Sequence, residues 1–138
     1  METKENLIEI ARELKLNNIL DNANISDKEI LLAILKKKKN YINWNDMKYA
    51  NFGNVDFKQF LTDKEDIPHA DYLGPVSIVD SYGGEGKGDD YWLVAYFSKY
   101  DTYIRMDGWY VSYDGGKFDG DPYIVEPQEK IITVYNAV

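Results

Sequence analysis

Apolar positions in the first forty residues recur with a helical period, whereas those beyond residue 72 alternate. Leu7, Ile10, Ala11 and Leu14 fall at i, i+3, i+4 and i+7, with Glu5, Glu9, Arg12 and Glu13 around them. That spacing predicts an amphipathic helix with one buried stripe. Leu16-Asn17-Asn18 and Asp21-Asn22-Ala23-Asn24 read as its exit and a connection. A second helix has a stronger start: Ser26 and Glu29 stand at capping-box spacing, and Ile25 and Ile30 are placed as a hydrophobic staple. Its body, Ile30 to Leu35, is apolar almost all round and is expected to be well buried. Lys36 to Lys39 fall at the carbonyl end of its dipole, where cations are favoured. Residues 54–61 suggest one more short helix with Asn54 as cap, and Pro68 punctuates the stretch before the strands.

The alternating half predicts a first strand over Val76 to Tyr82, ended by the glycine-rich run 83–88. A second strand covers residues 90–98, a third 102–107 and 109–113, and a last one Lys130 to Tyr135. The short turn at 99–101 makes the second and third an antiparallel hairpin. In the third strand Ile104 and Met106 have one parity, and Trp109, Val111 and Tyr113 the other. An unbroken period of two cannot put both sets on one face, so a bulge or corner is expected at Asp107-Gly108. Together these elements predict an α+β fold, with N-terminal helices beside a C-terminal antiparallel sheet of about four strands. At 138 residues the chain reads as a single domain, with 1–65 mainly helical and 72–138 rich in strands.

Composition narrows the function classes. Hydrophobic residues make up 44%, enough for a core and too many for a wholly disordered chain. There is no cysteine, which removes disulfides and thiol catalysis. No apolar run nears the roughly 20 residues that a membrane span needs. The N-terminus shows no basic region leading into an apolar one, so no export signal is expected and the cytoplasm is the expected location. The net charge of −8 is uneven: residues 1–50 carry about +1 and residues 51–138 carry −9. Such a field repels nucleic acid and attracts basic partners.

Candidate chemistry is sparse. The loop 83–88 has the glycines of a phosphate cradle, but Lys87 is followed by Gly88 and Asp89, and no helix is expected to supply free amides. Asp114, Asp119 and Asp121 resemble a calcium loop in composition without its spacing, so an Asp-Gly turn is the plainer reading. His69 is the sole histidine, it sits beside Pro68, and no serine near it carries a nucleophile motif. Four lysines at 36–39 read as a solvated helix end. No metal, cofactor or catalytic group is therefore expected.

Aromatic residues carry the clearest signal. Tyr91, Trp92, Tyr96, Phe97, Tyr100, Tyr103, Trp109, Tyr110 and Tyr113 cannot all face inward along alternating strands, and about half should line the far side of the sheet. Tyr and Trp rimmed by carboxylates have the composition of an interface hot spot. The expected binding residues are Glu85, Asp89, Asp90, Tyr91, Tyr100, Asp101, Tyr103, Asp107, Trp109 and Tyr110.

The Tyr82-Gly83-Gly84-Glu85-Gly86-Lys87-Gly88 loop, the Trp-containing strand after it, and Asp101-x-Tyr103-Ile104-Arg105-x-Asp107-Gly108-Trp109-Tyr110-x-Ser112-Tyr113 form a recognisable series. With Val125-Glu126-Pro127 and Ile131-Ile132-Thr133-Val134-Tyr135, this series resembles a family of small, uncharacterised bacteriophage and prophage proteins over about residues 70–138. The resemblance implies a viral origin and a β-rich C-terminal module, without an activity or site residues. Small acidic phage proteins of this kind often bind host machinery. The expected function is therefore a non-enzymatic inhibitor of a host defence factor, such as a CRISPR or other nucleic-acid-handling effector, working through the acidic-aromatic surface. Its partner would be a host protein with a basic surface. Alternatives are a virion component that self-assembles into a homo-oligomer through the aromatic sheet, and a small-molecule or calcium-dependent sugar binder.

Overall fold

The computed structural model describes residues 2–50 and 53–138. Helix α1, Glu2–Glu13, buries Leu7, Ile10 and Ala11 completely, as its stripe requires. It ends in a Schellman closure, with Leu16 N–H donating to Ala11 O at 3.0 Å and Lys15 N–H to Arg12 O at 3.1 Å. Lys15 takes the left-handed turn at φ 59° that glycine usually supplies there. The expected connection contains one short helix, α2, Asn17–Leu20. Helix α3, Asp27–Lys37, starts as its sequence signals: Ser26 Oγ accepts from Glu29 N–H at 3.2 Å, and Ile25 and Ile30 are both buried. Ile30, Leu31, Ile34 and Leu35 are buried in its body, while Leu32 and Ala33 remain half-exposed. A last helix, α4, spans Trp44–Lys48.

The helix expected over residues 54–61 does not form. Val55–Asp56 is instead a short strand, β1, paired with Val76 and Pro75. Phe57 N–H donates to Gly74 O at 3.0 Å, which keeps the chain extended where a helix would begin. A 3-10 turn, Phe57–Phe60, comes next, and its cap is Asp56, whose carboxylate accepts from Lys58 N–H, rather than Asn54.

Strands β2 (Pro75–Tyr82), β3 (Asp90–Phe97), β4 (Thr102–Val111), β5 (Gly115–Lys117) and β6 (Tyr123–Val125) complete one antiparallel sheet. The order is β1-β2-β3-β4-β5, and β6 also pairs with β4, opposite Tyr103 to Arg105. The class matches the expectation, with six strands in place of about four.

Three details of the sheet differ from the sequence reading. β4 runs unbroken, because its register against β3 is constant from Asp90–Trp109 to Phe97–Thr102. The parity conflict is resolved by placing Ile104 and Met106 on the core face and Trp109 on the other, with no corner at Asp107-Gly108. Gly108 is needed for close approach: a Cβ there would lie 1.9 Å from Lys117 O. The irregularity lies in β2 instead, between Ile78 and Asp80. This bulge at Val79 reverses the parity of the rest of the strand, so Asp80 and Tyr82 stand beside Val94 and Trp92 on the outer face. Finally, Lys130 to Tyr135 joins no strand. The last strand is Tyr123–Val125, and Pro127, lacking an N–H, ends the ladder soon after it.

The helices pack on one side of the sheet. Val76, Leu93, Ala95, Phe97, Ile104 and Met106 project from the strands into the same core as Leu7, Ile10, Ile30, Ile34 and Leu35. Phe57 and Phe97 meet at 5.4 Å between ring centres, and Tyr100 closes the rim by donating its hydroxyl to Tyr72 O. Alternation then leaves a second face, built from the residues between these.

Candidate functional site

Strand alternation creates the candidate surface. Because Tyr91, Leu93, Ala95 and Phe97 point into the core, Trp92, Val94 and Tyr96 point away from it. The constant register of β4 sets Asp107, Arg105 and Tyr103 directly across from these three. β2 adds Asp80 and Tyr82 through its bulge, and β6 adds Tyr123 and Val125. The result is a sheet face of aromatic rings crossed by short polar contacts.

Those contacts hold the rings in fixed directions. Arg105 lies over Trp92, its Cζ 4.3 Å from the ring centre, while its Nε donates to Asp107 Oδ1 at 2.8 Å. Tyr123 donates to the other Asp107 oxygen at 2.9 Å. The Tyr96 and Tyr103 rings meet at a tilt of 30°, 4.5 Å between centres, and Tyr96 donates to Asp101 at 2.9 Å. Trp109 Nε1 donates to Asp119 at 2.8 Å. Donation to Asp101 raises the pKa of the Tyr96 hydroxyl above its ordinary value. Tyr123 is raised as well, by burial first and by Asp107 next. Asp101, Asp107 and Asp119 each accept from a phenol, an indole or a guanidinium, an arrangement that orients the rings.

On this face is an open groove of about 480 Å³, lined by Val79, Asp80, Trp92, Val94, Tyr103, Arg105 and the β6 exit at Val125 to Pro127. Val79, Val94 and Val125 meet Trp92 and Tyr103 there.

The ten residues expected from the sequence divide into three groups. Asp90, Asp101, Tyr103, Asp107 and Trp109 belong to this face or its border. Glu85, Asp89 and Tyr110 gather at the glycine-rich end of the sheet, where Tyr110 donates to Glu85 at 2.7 Å and Tyr110 N–H to Asp89 O at 3.0 Å. Bonding to Glu85 raises the Tyr110 pKa. Tyr91 and Tyr100 are buried, at 2% and 4% exposure, and support the fold from beneath. Trp92, Tyr96, Tyr82 and Arg105 complete the face and were not among the ten. The parity of β3 was the available signal for Trp92 and Tyr96; Tyr82 required the bulge.

Other candidates have local explanations. The loop 83–88 joins two strands, and β3 rather than a helix comes after it. Asp114, Asp119 and Asp121 turn to Lys117, Trp109 and Lys39 respectively, so they do not converge on one centre. Lys39 also lowers the pKa of the Asp121 carboxyl by bonding to it. His69 stacks on Tyr72 at 5.1 Å, and its Nε2 lies 3.1 Å from Glu13, near Glu9. No helix is long and apolar enough to cross a membrane among the described residues.

The fold and this face define a small α+β protein with an open aromatic sheet surface under an acidic border. No family model, curated protein or solved structure matches the chain.

Proposed function

We propose that the protein is a non-enzymatic binding protein, encoded by a bacteriophage, that inhibits a host defence factor in the host cytoplasm. The observation that carries this reading is the outer sheet face, where Trp92, Tyr96, Tyr103 and Trp109 are half-exposed and Asp80, Asp90, Asp101 and Glu126 surround them. Rigid rings supply contact area at low entropic cost, while carboxylates select a basic partner and repel nucleic acid. The partner is a host protein whose basic groove handles nucleic acid, and inhibition is by occupation of that groove. The C-terminal half carries −9, so attraction toward such a groove operates beyond direct contact.

The test is an affinity pull-down of the tagged protein from host lysate at low and high salt, with partners identified by mass spectrometry. A nucleic-acid-handling protein retained at low salt and lost at high salt is the expected result. Asp90→Lys combined with Glu126→Lys should abolish that capture, since neither carboxylate holds a structural hydrogen bond among the described residues. Capture that ignores both salt and charge reversal would refute the proposal.

A further inference from the structure

The last eleven residues pose a problem that the sheet face answers. Ile131 is 96% exposed, Ile132 73%, Val134 68% and Tyr135 90%. Four large apolar side chains in six residues, all in water, are far from the scattered exposure that soluble chains tolerate. The segment Lys130 to Tyr135 has the β-branched and aromatic composition of a strand, yet it forms no ladder among the described residues. Pro127 prevents β6 from simply continuing into it. The tail therefore leaves the sheet at the wall of the groove, which Val125, Glu126 and Pro127 line.

We infer that Lys130 to Tyr135 is a docking strand exchanged between two copies of this chain, each copy seating its tail in the other's outer-face groove. Alternation puts Ile131, Thr133 and Tyr135 on one side of the strand and Ile132 and Val134 on the other. Both sides are apolar, the pattern of a strand enclosed on two faces. One sheet face covers only one side; two copies facing each other cover both. Charge agrees: Lys130 is the only basic residue after Lys117, and the groove it would reach is lined by Asp80 and Glu126. Both the strand and its receptor lie on the same chain, so the exchange is reciprocal and closes as a two-fold dimer. Asp80, Trp92, Tyr103 and Glu126 line the groove and also belong to the proposed host-binding face, so the tail and a host partner would compete there. The exchange follows from the exposed tail and does not rest on the proposed function.

Sedimentation velocity of the full chain, from low to high micromolar concentration, tests the exchange. The wild type should show a concentration-dependent dimer. Ile132→Asp with Val134→Asp, Ile131→Asp with Tyr135→Asp, and the groove variant Val79→Asp should each be monomeric with an unchanged near-UV spectrum. The substituted tail residues and Val79 are all at least half-exposed, so the fold does not depend on them. Mixing a tail variant with the groove variant should restore dimers, because one intact tail then meets one intact groove. A wild type that is monomeric throughout overturns the inference, whether its tail is free or folded onto its own groove. A dimer that survives both tail variants overturns it as well.

Discussion

Gly116 lies directly beneath the ring of Tyr91, where a Cβ would sit 2.1 Å from Cζ. The same ring tilts against Phe118 at 4.9 Å and Tyr110 at 5.9 Å, and its hydroxyl donates to Asn45 at 2.6 Å. Asn45 in turn donates to Gly116 O at 2.9 Å, closing a small circuit between α4 and β5. Gly116→Ala should therefore force the ring out of position and cost about 1–3 kcal/mol, the usual range for overpacking. Urea denaturation reads this directly. An alanine tolerated at no cost would show that the Tyr91 ring is not held there.

Tyrosine titration offers a second check. Burial pushes the Tyr100 hydroxyl from its ordinary value near 10 up to about 12. A group whose folded pKa is raised contributes stability that is complete below the unfolded value and declines as pH rises toward the folded one. Stability should therefore hold to about pH 10 and fall between about pH 10 and 12. Tyr91 is raised too, chiefly by burial, and deepens the same decline. Absorbance at alkaline pH should show Tyr91 and Tyr100 ionising late and together with unfolding. Titration of both near their ordinary value would contradict the buried placement.

The start of α3 gives a smaller, cleaner test. Ser26→Ala removes the acceptor for Glu29 N–H and should cost about 1 kcal/mol. Ser26→Asp should preserve the cap and favour the helix N-terminus. If alanine and aspartate behave alike, the cap contributes nothing.

These positions also show how far the sequence could be read. α1 and α3 were legible because a 3.6-residue stripe and a cap are local signals: Leu7, Ile10 and Ala11, then Ser26 and Glu29, lie within a few turns of one another. The sheet was legible in class and only partly in register. Nothing near Gly108 announces that the Lys117 carbonyl will lie against it, so alternation alone points to a bend where the structure has a close approach. The bulge at Val79 depends on pairing with Val94 and Ala95, far along the chain. Half of the candidate surface is legible for the same reason. Asp90, Tyr103, Asp107 and Trp109 come out of alternation, whereas the burial of Tyr91 and Tyr100 depends on α4 and on the 3-10 turn Ala70–Leu73. Residues 130–135 carry a strand's composition, and composition alone cannot say which chain supplies the neighbour.

Lys48 links the helical layer to the glycine-rich loop, and its replacement should loosen that loop specifically. The side chain is 7% exposed, with Nζ 4.6 Å from the Tyr91 ring centre and 4.7 Å from that of Tyr49. It donates to Gly83 O at 3.0 Å. Gly83 cannot be replaced to strengthen this corner, because φ is 106° and a Cβ would lie 2.2 Å from Asp90 O. A desolvated ammonium between two rings contributes about 2 kcal/mol, and Lys48→Met should lose about that much while keeping the apolar stem. Lys48→Arg should recover little, because a planar guanidinium does not fit a site shaped for a compact ammonium. Hydrogen exchange separates local from global effects. In Lys48→Met the amides of residues 83–88 should exchange faster by more than those of α3, whose protection tracks overall stability. Equal acceleration everywhere would mean that Lys48 stabilises the whole fold and holds no loop in particular.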